Sequence, residues 1–226
     1  MKTAVRSFVP CLALLLIVSL PALAASKDGI VTTKDGRQTI AAKPGPYTVP
    51  LQTDPASGLV KIYSNASKYP LGVYWCCAGW TISGSGSSNG TQYADAMPFT
   101  PSANATVKEI GVAVGYVSGT NEVTVSLNAD SSGLPGSPLG SFTVSNLPIF
   151  GSCCSAEVES TSGISITKGK QYWVVVQTTT PDSDTWAAWN DNDTNETAQP
   201  FAYQNSGVWE NVEGILGAFA VFGTQP

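Results

Sequence analysis

From residue 58 onward, apolar side chains recur at every second position, and no stretch carries a convincing helical stripe. Ile110, Val112, Val114 and Tyr116 fall on one face of such a run, with Gly111, Ala113 and Gly115 opposite. Successive side chains of an extended strand point to opposite faces, so the pattern predicts β-strands. The small residues on the second face would let another layer approach closely. Leu59, Lys61 and Tyr63 alternate with Val60 and Ile62; Val123, Val125 and Leu127 alternate with Thr124 and Ser126. Phe142 and Val144, Ile164 and Ile166, Tyr172, Val174 and Val176, then Phe219 and Val221 continue the series. Turn formers separate the runs: Ser118-Gly119-Thr120-Asn121, Ser132-Gly133-Leu134-Pro135-Gly136, Lys168-Gly169-Lys170 and Ser206-Gly207. The expected class is all-β, an antiparallel two-sheet β-sandwich, jelly-roll-like, of about 8–10 strands. A closed barrel is the competing architecture.

The N-terminus reads as a secretory leader, residues 1–24. Lys2 and Arg6 supply the positive start, Leu12 to Leu20 the apolar run, and Ala22-Leu23-Ala24 the small-x-small cleavage site. That run is shorter than the roughly 20 apolar residues of a membrane span, and Pro10 and Pro21 bracket it. Residues 25–57 read as an irregular arm with room for one short hairpin, because Pro44, Gly45, Pro46, Pro50 and Pro55 break regular elements. Residues 58–226 form the expected sandwich domain. The product is expected to be secreted and extracellular, with periplasm or cell surface as variants, and without membrane insertion once the leader is removed.

Without Lys2 and Arg6 the chain carries 9 basic and 16 acidic residues, a net of −7. Nucleic acid and anionic membranes demand clustered Lys and Arg, so neither is an expected partner. Histidine is absent altogether. A Ser-His-Asp or Cys-His nucleophile system is therefore impossible, and any hydrolytic chemistry would rest on carboxylates, Tyr or Lys.

Several segments carry a resemblance: IYSNASKYPLGVYWCCAGWTISG, AMPFTPSANATVKEIGVAVGYVSGTNEVTVSLNADSSGLPGSPLGSFTVSNLP, YWVVV, DTWAAWN and the closing GAFAVFG. Over about 58–224 the chain resembles the bacterial exported "choice-of-anchor" ectodomains. The resemblance implies a β-sandwich followed by a variable sorting or anchoring tail. No such tail is visible after Phe222, which points to free secretion. The group brings no activity with it.

Four cysteines lie beyond the leader in two adjacent pairs, Cys76-Cys77 and Cys153-Cys154. An even number in an exported chain predicts disulfides. If the two segments pair antiparallel, Cys76 opposes Cys154 and Cys77 opposes Cys153, and one bridge sits on each face. Opposed Cα atoms lie roughly 4.5–5.5 Å apart, within disulfide range. The first bridge would stabilise by on the order of 4 kcal/mol through the long loop it closes. Two vicinal rings are the rival, at the cost of a cis or strongly twisted peptide. Free or metal-bound thiols are a third reading.

Three sets of residues could carry function. Trp186, Trp189, Tyr203 and Trp209 could stack on sugar rings, although Trp186 and Trp189 must point to opposite sides of one strand; core packing is the alternative for them. Trp75, Trp80 and Trp173 read as core. Asp191, Asp193 and Asn195 alternate in DNDTNE like the opening of a calcium loop, but Glu196 and Ala202 stand where an EF-hand needs Gly and Glu. A simpler structural calcium site is weighed there against a solvated turn; no other cofactor is expected. Glu157 and Glu159 could act as a hydrolytic carboxylate pair, against a solvated strand face. The leading expectation is a non-catalytic extracellular module binding carbohydrate or matrix. A carboxylate-based glycan hydrolase and a structural or adhesive surface protein are the alternatives.

Overall fold

The computed structural model describes residues 30–32, 38–41, 58–66, 74–151, 156–197 and 200–226. Residues 1–24, read from the sequence as a leader, lie outside them. Every regular element described is a strand: β1 (Ile30–Thr32), β2 (Gln38–Ala41), β3 (Val60–Ser64), β4 (Tyr74–Ser83), β5 (Tyr93–Phe99), β6 (Ala105–Val112), β7 (Val114–Ser118) and β8 (Glu122–Ser131). Then follow β9 (Leu134–Ser145), β10 (Ala156–Ile166), β11 (Tyr172–Gln177), β12 (Trp186–Asn192), β13 (Phe201–Asn205), β14 (Val208–Val212) and β15 (Phe219–Thr224). The chain is an all-β antiparallel sandwich. Its strands exceed the expected number because several runs read as one are broken by bulges or layer changes, and because the arm contributes the β1–β2 hairpin.

The smaller sheet has the order β10-β6-β15-β3. The larger one divides into two arms. One runs β7-β12-β4-β2-β1 and the other β14-β13-β5-β11-β8-β9. The arms join where Ser83 of β4 pairs with Tyr93 of β5. Between the sheets lies one main core. It includes Ile82, Met97, Phe99, Val125, Leu127, Val174 and Trp189 from the large sheet, with Val107, Ile110, Val112, Phe219 and Val221 from the small one. Each such side chain contributes roughly 1.5–3 kcal/mol by leaving water.

The run from Ile110 to Tyr116 does not stay in one layer. β6 pairs with β10 and β15 in the small sheet, whereas β7 pairs with β12 in the large one. Ala113 is the pivot: its N–H donates to Ala218 O at 3.0 Å, and its carbonyl accepts from Asn190 N at 2.9 Å. The small residues serve this passage. A Cβ on Gly115 would stand 2.7 Å from Phe150 Cα, so only glycine lets the 148–151 segment lie flat on β7. That segment is held by Tyr116 N to Pro148 O and Phe150 N to Tyr116 O, at 2.7 and 2.8 Å.

Candidate functional site

The β8–β9 hairpin turns through Ser132 and Gly133, both with positive φ, of 57° and 81°. Two left-handed residues in succession match the twist of flanking strands, which is why a Ser-Gly pair suits this position. The turn brings Gly133 N to Asp130 Oδ2 at 3.2 Å. Asp130 Oδ1 accepts two further bonds, from Trp173 Nε1 at 2.8 Å and Gln171 Nε2 at 3.1 Å. An exposed carboxylate is thereby fixed in orientation by three N–H donors.

A groove of about 460 Å³ opens beside it. Asp130 and Ala129 come from β8, Leu139 from β9, Lys170 and Gln171 from the segment just before β11, Tyr172 from its first position, and Ser165 from β10 of the opposite sheet. Tyr172 is buried, and its hydroxyl accepts from Thr167 N at 2.9 Å, which fixes the ring. Leu139 is 44% exposed. The groove thus combines an apolar lining with an ammonium, an amide, a hydroxyl and an oriented carboxylate. Its volume is that of a small-ligand site.

The aromatic residues singled out from the sequence do not form an exposed platform. Trp189 is fully buried in the main core, its Nε1 donating to Ala218 O at 2.9 Å. Trp186 points to the other side of β12, as the odd spacing requires. It too is fully buried, under Phe150 with Val117 and Ala188. Tyr203 is 4% exposed and stacks on Tyr93 at 5.3 Å. Only Trp209 of the four is half-buried, packing on the outer cluster that contains Trp173. Trp80 and Trp173 are core, as expected.

Residues 192–196 fold around Asn192. Asn192 Oδ1 accepts from Thr194 N, Thr194 Oγ1 and Glu196 N at 3.1, 2.8 and 2.8 Å, and its Nδ2 donates to Leu216 O at 2.8 Å. Asn195 is exposed at φ 55° and Asp193 half-buried. Asp191 is separated from this turn. It sits in a bulge of β12, between Asn190 and Asn192, bridged to Gly217. Among the described residues no group of three or more Cys, Asp or Glu side chains gathers as a metal site.

Asp191 instead lies within electrostatic reach of a residue that the sequence pattern did not single out. In β5, Tyr93, Met97 and Phe99 all enter the core, so alternation directs Asp95 inward as well. Asp95 is fully buried, and among the described residues neither of its oxygens has a hydrogen-bond partner. Burial raises its pKa far above the carboxylate range, and the charge of Asp191 raises it further. Burial pushes Asp191 itself up to about 7. An acidic residue amid YADAMPF, in a strand that is buried throughout, was the available signal.

Glu157 and Glu159 occupy register positions opposite Gly111 and Glu109; their side chains lie outside the described atoms. The cysteine pairing also falls outside: Cys153 and Cys154 are not among the described residues, and of Cys76 and Cys77 only the backbone in β4 is. The described ladder partners of β4 are β2, β5 and β12. Among the described residues no helix is long and apolar enough to cross a membrane. Comparison with protein-family models, curated proteins and solved structures finds no match.

Proposed function

We propose that the chain is an exported, non-catalytic β-sandwich module that binds carbohydrate, with the groove at Asp130 as its binding site. The observation that carries this reading is the oriented carboxylate beside an ammonium, an amide and a buried aromatic ring in one groove lined from both sheets. Sugar hydroxyls both donate and accept, so they suit a site with Asp130 as acceptor and Lys170 as donor. Trp209 would add a stacking surface next to the cluster that anchors Trp173. Export rests on the leader read in residues 1–24, and on the resemblance to choice-of-anchor ectodomains. Binding is favoured over hydrolysis because, among the described residues, Asp130 is the one carboxylate lining the groove, whereas the usual glycosidase uses two.

A glycan array probed with the purified chain tests the reading. Retention of at least one glycan class is expected, without release of reducing sugar. The Lys170→Ala/Gln171→Ala double variant should weaken it by about tenfold or more, and Trp209→Ala by less, each group being worth of the order of one to two hydrogen bonds or a ring contact. Retention untouched by the double variant would reject the groove. Sugar release abolished by Glu157→Gln or Glu159→Gln would reject the non-catalytic assignment.

A further inference from the structure

We propose that Asp95 and Asp191 together bind one hard divalent cation of the calcium class, between the two arms of the large sheet. Asp95 belongs to one arm and Asp191 to the other, and β4, which pairs with both β5 and β12, joins them. A chain of two contacts through Gly217 links the strands. Asp191 bridges to Gly217, and Gly217 N donates to Met97 Sδ at 3.3 Å, two residues along β5 from Asp95.

Chemistry then selects the ligand. An ionised carboxylate is not left in a core without a counter-charge. Protonation alone does not resolve the position of Asp95, because a buried carboxylic acid still presents a hydroxyl donor and a carbonyl acceptor, and neither oxygen has a partner. A divalent cation satisfies both carboxylates at once and removes the repulsion between them. The donors are oxygens only, which favours calcium over softer metals, and calcium fills the rest of its shell with backbone carbonyls and water. Asp191 is half-buried, so an ion has a route from solvent. The sequence pattern at 191–195 contained one of these ligands, but the second comes from β5 rather than from Asp193 or Asn195.

Terbium binding and thermal melting of the full chain test this. Trp80, on the joining strand, should sensitise terbium luminescence, and calcium should compete it away. Millimolar calcium should raise Tm by about 5 °C or more over chelator. Asp191→Asn should reduce terbium affinity at least tenfold and abolish the calcium shift, while Asp193→Asn keeps both. Absence of luminescence together with a melting curve indifferent to calcium and chelator would overturn the proposal. So would Asp191→Asn binding like the parent, or loss of binding in Asp193→Asn, which would place the ion in the surface turn.

Discussion

Asp130 and Asp95 are the same residue type in opposite circumstances. Asp130 stands at the solvent end of β8 with three N–H groups directed at its oxygens. Asp95 stands inside the sandwich with none. The fold can supply donors at a hairpin end, where a turn N–H and side-chain N–H groups are free. It cannot supply them inside, where backbone N–H groups are committed to ladders and the same-face neighbours along β5 are Tyr93 and Met97. A carboxylate in the first place adds to stability and offers a surface for ligands. In the second it costs stability unless something from outside, here a cation, completes it.

The interior should be the less forgiving region. Trp189→Ala is expected to cost about 3–5 kcal/mol in chemical denaturation, because a fully buried indole and its bond to Ala218 O are lost and a cavity is left in the core. A cost under about 1 kcal/mol would mean the corner is looser than its packing indicates.

The two aspartates should then respond with opposite sign. With chelator present, Asp95→Leu should stabilise the protein by about 1–3 kcal/mol, since it replaces a buried carboxyl group without hydrogen-bond partners by an apolar side chain. It should also remove the calcium response. Asp130→Ala should instead destabilise by about 1–2 kcal/mol, because Trp173 Nε1 and Gly133 N lose their acceptor. Equal signs in denaturation midpoints would break the comparison.

How much of this could be read beforehand differs by level. Alternation identified most strands, since a period of two is a local property. The passage between layers at Ala113 was invisible, because Ile110, Val112, Val114 and Tyr116 keep their alternation through it; only the partner strands change. For Trp186 and Trp189 the opposite orientation was legible from their spacing. That both would be buried was not, because Phe150, thirty-six positions earlier, closes over the outer one. Asp95 could have been flagged from its apolar strand. Its partner, Asp191, is brought to it by the fold of two separate arms, and nothing local to either residue records that. The groove has the same origin, with Ser165 and Asp130 meeting across the two sheets.

Tyr63 supplies an intermediate case and the smallest expected effect. Its ring is stacked on Phe219 at 4.9 Å, and its hydroxyl donates to Glu196 Oε1 at 3.1 Å. Burial, the Glu196 charge and that bond all hold its pKa above the ordinary phenol value near 10. An acid whose folded pKa is raised contributes stability that is fully present below its unfolded pKa and is lost as pH rises above it. Tyr63→Phe keeps the ring packing and loses one hydrogen bond, so near pH 7 it should cost only about 0.5–1 kcal/mol. Above pH 10 the parent should lose stability more steeply than the variant, and the two midpoints should converge. Parallel alkaline limbs would show that neither burial nor Glu196 raises the phenol pKa, and that this partly buried acid behaves like the solvent-exposed end of the comparison.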